Sequence, residues 1–138
     1  MKSSQIVPDS KWIKYYLKEA ADTLHRLPRA YGKARLTGWP DVVQNSFTHD
    51  FSLNRTRPAS PSPAAIDRLD ESLSWMFACD QEQRIVVWAR ACGVAWRKLE
   101  DIDGRSHVTL RRIEDRGLAA IRDRLRETPP PRIFRSPN

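Results

Sequence analysis

The sequence predicts an all-α protein. Apolar residues recur at helical spacing in several separate runs, and helix-capping residues stand at the head of those runs. β-branched residues never alternate over more than a few positions, so no strand is predicted. With 138 residues, 40% hydrophobic and 30% charged, the chain supports one modest core or two small ones and falls short of a large enzyme.

Proline divides the chain. Ahead of the first cluster (Pro58, Pro61, Pro63), Asp9 or Ser10 caps a helix whose apolar face is Ile13, Tyr16, Leu17, Ala20, Leu24 and Leu27, and Pro28 stops it. Tyr31 to Gly38 reads as a loop, after which Pro40 opens a short helix over Val42 and Val43. Trp39, in that loop, is a candidate protein-partner residue. His49 to Pro61 has neither period and reads as an exposed linker.

Ser62 and Pro63 then start a helix with Ile66, Leu69, Leu73, Met76 and Phe77 inward, ending near Cys79. Asp80 caps the next, whose apolar side is Ile85, Val86, Trp88 and Ala89 and which ends at Gly93. The expected organisation is an N-terminal helical segment over 1–57, a proline-rich linker over 58–63, a DNA-binding domain over 64–128 and a disordered basic tail over 129–138.

Residues 94–126 carry the functional signal. They read as a short helix with Leu99 and Ile102 inward, a sharp turn at Gly104 and a longer helix capped by Ser106, with Leu110, Ile113, Ile121 and Leu125 inside. That order is a helix-turn-helix, whose second helix enters the major groove by its first turns. His107, Thr109, Arg111 and Arg112 are the base-reading candidates, because arginine donates two parallel bonds to guanine and threonine reaches a base edge or a thymine methyl. Arg97, Lys98, Arg105, Ser106 and Arg116 suit phosphates, which position the protein without specifying sequence.

Charge distribution agrees. Net charge is +7; up to Gln83 there are 11 basic and 10 acidic residues, and from Arg84 onward 13 and 7. Arginine on a helix surface is commonly only a solvated face, and Glu114 and Asp115 are placed to pair with neighbouring arginines. Glu100 and Asp101 would repel phosphates if they faced them.

The stretch from Ile66 to Arg126 resembles region 4 of sigma factors, matching at Asp80, Arg84, Gly93, Trp96, Leu99, Gly104, Ser106, Thr109, Leu110 and Arg111. It departs from that pattern at Glu100, where a small residue is usual, and at Arg105, where an apolar one is frequent. The chain also looks like a family of small proteins of alphaproteobacterial prophages and gene-transfer elements. That likeness is carried by EAADTLHRLP at Glu19 to Pro28, GWP at Gly38 to Pro40 and PSPAAIDRLDESLSW at Pro61 to Trp75. These resemblances imply a DNA-binding regulator or accessory protein of a phage-like element, with RNA polymerase or another phage protein as a partner.

Other chemistries are poorly represented. His25, His49 and His107 lie far apart without a nucleophile or carboxylate at a recognisable spacing, so no enzyme is expected. Cys79, Cys92 and His107 lack the paired spacings of a zinc site, and no phosphate-cradling glycine loop exists, so neither metal nor cofactor is expected. The two cysteines are expected reduced and buried. Trp12, Trp75, Trp88 and Trp96 read as core rather than as stacking platforms for single strands. No apolar run reaches membrane-spanning length, and Met1 to Val7 holds no secretory pattern, so a cytoplasmic, nucleoid-associated protein is expected.

The leading expectation is therefore a sequence-specific binder of double-stranded DNA that acts in transcription control, with homo-oligomerisation through the N-terminal helices. The alternatives are a small-terminase-like packaging protein that forms a ring on viral DNA, and an adaptor that binds protein alone.

Overall fold

The structure, a computed structural model, describes residues 8–27 and 59–134. These residues form five α-helices and one 3-10 turn, with no strand among them. Helix α1 spans Ser10–Arg26, α2 Pro63–Trp75, α3 Gln81–Ala91, α4 Trp96–Asp103 and α5 His107–Glu127; the 3-10 turn Met76–Ala78 follows α2. The fold class is all-α, as the periodicity predicts.

Local chemistry sets the helix starts. Asp9 Oδ1 accepts from the Trp12 amide at 2.8 Å, and Ser62 Oγ accepts from Ala65 at 3.2 Å. Asp80 and Gln83 make a reciprocal capping box at the head of α3, with bonds of 2.8 and 3.2 Å. Arg84, one turn in, donates to the carbonyls of Met76 and Cys79, both at 3.2 Å, and so fastens the 3-10 turn to α3.

Two cores follow. The larger joins α1, α2, α3 and α5 through Ile13, Leu17, Leu69, Trp75, Trp88 and Ile121, all 1% exposed or less. The smaller, made of Val86, Ala89, Val94, Leu99, Leu110 and Ile113, ties α4 to α3 and α5. Between α3 and α5 the backbones approach so closely at Gly117 that a Cβ there would stand 2.8 Å from Val87 Cγ2. Cys79 donates to the Gly117 carbonyl at 3.4 Å, and burial pushes its thiol pKa from 9.0 to about 11. Neither cysteine is in a disulfide, and Cys92 is half-buried rather than buried.

Several expectations are corrected. Helix α1 does not stand apart from the later helices: it lies in the same core as α2 and α5, and Arg68 Nε of α2 donates to Glu19 Oε1 of α1 at 2.6 Å. The chain beyond Pro129 does not run free as far as the structure describes it. Phe134 is 5% exposed and packs its ring against Trp12, Tyr16 and Trp75. Ile102 and Phe77 face outward, at 49% and 76% exposure. Ile102 lies one turn beyond Leu99, only about 60° around the helix from it, but the small core takes in Leu99 and ends there, so Ile102 projects past its edge. Trp12, Trp75 and Trp88 are core, whereas Trp96 is half-buried. Trp39, the helix over Val42 and Val43 and most of the linker lie outside the described residues.

Candidate nucleic-acid interface

The turn between α4 and α5 is built by three residues. Gly104 has φ of +86°, a left-handed conformation that side chains resist, and its amide donates to the Glu100 carbonyl at 2.7 Å. Ser106 has extended dihedrals and caps α5, its Oγ accepting from the Thr109 amide at 3.4 Å and lying 3.2 Å from Thr109 Oγ1. Ser106 thus serves the helix start, and Thr109 shares its hydroxyl with that cap.

Two predicted contact residues are held by carboxylates of the chain itself. Arg105 Nε and Nη2 donate to Asp103 at 2.5 and 3.0 Å, and Arg105 Nη1 pairs with Glu82 at the start of α3. The bonds from Asp103, then Glu82, push the Arg105 pKa up, and Arg105 in turn holds the Asp103 carboxyl below its ordinary range. Arg105 therefore braces the turn against α3, which accounts for a charged residue where an apolar one is frequent. Glu100 Oε1 accepts from the His107 amide at 2.5 Å and lies 2.7 Å from His107 Nδ1. The amide bond leads, followed by the imidazole and the charge of Arg97, in drawing the Glu100 carboxyl below its ordinary value. An acidic side chain at a helix N-terminus is favoured by the helix dipole, so Glu100 occupies the place a phosphate would take there.

The remaining candidates face solvent. Arg97 and Lys98 on α4, and Arg112 and Arg116 on α5, are exposed and make no hydrogen bond or ion pair with another described residue. Arg112 and Arg116 stand one turn apart on one face of α5. Arg111 turns toward Trp96 at the start of α4, its guanidinium 5.8 Å from the ring centroid, on a surface where Arg90 of α3 covers the same ring at 4.4 Å.

The structure adds residues that sequence reading passed over. Val108, 49% exposed, lies in the first turn of α5 beside Thr109. The cap sets the helical phase so that Leu110 points inward and Val108 outward. Glu114, read as a partner for arginines, is 5% exposed and pairs with Arg90 of α3 at 3.9 Å and also with Lys14 of α1, which the sequence did not offer, at 3.1 Å. No group of His, Cys, Asp and Glu capable of holding a metal occurs among the described residues, and no described helix is long and apolar enough to cross a membrane.

No curated protein and no solved structure matches the chain. Residues 25–121, more than half the chain and including α2 to α4 and most of α5, match the model of a domain of unknown function, DUF6362. The chain belongs to that family.

Proposed function

We propose that this protein binds double-stranded DNA sequence-specifically, laying the first turns of α5 in the major groove, and acts in transcription control at the nucleoid. One observation carries this reading: α4, the Gly104 to Ser106 turn and α5 form a rigid corner on their own small core. That corner presents Val108, Thr109, Arg112 and Arg116 outward. Rigid placement matters because base readout requires donors held to hydrogen-bond precision before binding. Arg112 is the leading base-reading residue, Thr109 and Val108 suit a thymine methyl, and Arg97, Lys98 and Arg116 suit phosphates. Arg105 and His107, engaged with acidic partners, hold the turn and leave the contact role to their neighbours.

A second reading draws on the carboxylates Glu82, Glu100 and Asp103 around the start of α5, which lower the local positive potential and suit a protein partner. Selection from a random duplex pool separates the two. An enriched motif whose preference relaxes with Arg112→Ala supports DNA readout. No enrichment at moderate salt overturns it in favour of the protein-binding adaptor.

A further inference from the structure

The chain up to Gln83 is nearly neutral in net charge, yet folding brings two of its lysines to the side of α5. Lys14 lines a cavity of about 300 Å³ together with Arg90, Trp96, Arg111, Glu114 and Asp115. It also lines a neighbouring cavity of about 360 Å³ with Lys18, Arg90, Gly93 and Glu114. Because Lys14, Arg90 and Glu114 belong to both, the two form one trough running from Arg111 on α5, across α3, to Lys18 on α1.

The trough has a built floor. Glu114 is 5% exposed; its Oε1 is 3.1 Å from Lys14 Nζ, and its Oε2, which has no hydrogen-bond partner, stands 3.9 Å from Arg90 Nε. Arg90 is further fixed by donating to the Val94 carbonyl at 2.7 Å. A buried carboxylate between two cations sets their spacing. Lys14 keeps its remaining donors in solvent at 54% side-chain exposure, and Lys18 is exposed without a described partner. Four cations line the trough against the carboxylates Glu114 and Asp115, so the surplus is positive. Arg90 covers the Trp96 face at 4.4 Å, which disfavours stacking of a base and leaves cationic donors as the recognition chemistry. Such donors strung along a trough beside a recognition helix fit the oxygens of a phosphodiester backbone.

Resting on the DNA-binding function proposed above, we infer that Lys14, Lys18 and Arg90 form a second contact with duplex DNA. They grip the phosphate backbone that flanks the segment read by α5, and Glu114 is the positioning residue that sets Lys14 and Arg90. The footprint then extends from the helix-turn-helix onto α1.

The test uses the full chain and the duplex recovered by selection, at two lengths: the motif alone, and the motif extended by about one helical turn on each side. Affinity is followed by fluorescence anisotropy over a salt series. Wild type is expected to bind the longer duplex more tightly and with the steeper salt dependence. Lys18→Ala, which removes no described contact of the fold, is expected to lower the log–log slope on the long duplex by about one and to leave the short duplex unchanged. Glu114→Gln, nearly isosteric, is expected to reduce the gain from flanking DNA while affinity for the short duplex is kept, a split that simple destabilisation does not produce. Melting curves show that each variant is folded. Equal binding of both lengths by wild type, or an unchanged slope in Lys18→Ala, overturns the trough contact and leaves readout by α5 standing. Absence of binding to either duplex overturns both.

Discussion

Glu100 and His107 are joined twice across the turn between α4 and α5: one carboxylate oxygen of Glu100 accepts the His107 amide at 2.5 Å and lies 2.7 Å from the imidazole Nδ1. The acidic residue that looks misplaced in a DNA-binding motif thus satisfies a backbone donor that the first turn of α5 would otherwise leave unmet.

A pH dependence follows. The folded state holds the Glu100 carboxyl below its ordinary range, so the unfolded chain takes up the proton first as pH falls. The stabilisation is complete above the ordinary carboxylate range and is lost as pH drops through the lowered value. Glu100→Ala is expected to melt below wild type at neutral pH, with the gap narrowing as pH falls below the ordinary carboxylate range. A gap that does not change with pH would show that the charge of Glu100 plays no part.

Phe134 is the clearest case of structure hidden from the sequence. It follows three consecutive prolines and stands alone in a segment without periodicity, so nothing local marks it as core. Its partners Trp12, Tyr16 and Trp75 are distant in sequence, with ring centroids 5.7, 4.7 and 5.0 Å away. Phe134→Ala is expected to destabilise the fold by about 3 kcal/mol, the lower end for a buried phenylalanine, as read from urea unfolding. A loss under about 0.5 kcal/mol, the range of surface substitutions, would place the ring outside the cooperative core.

The same contrast separates what was legible from what was not. Caps and turns are written in two or three adjacent residues, so Asp9, Ser62, Asp80, Gly104 and Ser106 could be read directly, and with them the helices α1 to α5. Periodicity likewise placed Leu110, Ile113, Ile121 and Leu125 on the inner face of α5. Pairings between elements are set by tertiary packing. That Arg105 meets Glu82, that Lys14 meets Glu114 and that α1 shares a core with α5 depend on how the helices cross, which no local pattern records. Local sequence also offered Ile102 and Leu99 as equals, and only the small size of the second core made one of them surplus.

Gly117 tests that crossing. A methyl group there meets Val87 Cγ2 at 2.8 Å and Gln83 Cβ at 3.2 Å, so α3 and α5 would have to separate. In an open helix interior Gly→Ala is stabilising by about 0.5–1 kcal/mol, but overpacking of this kind costs about 1–3 kcal/mol and reverses the sign. Gly117→Ala is therefore expected to destabilise in urea unfolding. Combined with Val87→Ala it should show favourable coupling, because the second change removes the clashing methyl. Strict additivity would mean that the helices do not meet at this point.

The last expectation separates the two exposed arginines of α5. Arg112 lies in the second turn, where a recognition helix meets base edges, whereas Arg116 is one turn farther along and suited to the backbone. Arg112→Ala should weaken the selected site by about 1–3 kcal/mol and relax preference at one base pair, with little effect on unrelated DNA. Arg116→Ala should weaken selected and unrelated duplexes alike and lower the salt slope by about one. Neither residue makes a described contact within the fold, so these losses should appear without a change in melting temperature. Equal losses on selected and unrelated duplexes in Arg112→Ala would move it to the phosphate-contacting class and leave Thr109 and Val108 as the readers at the start of α5.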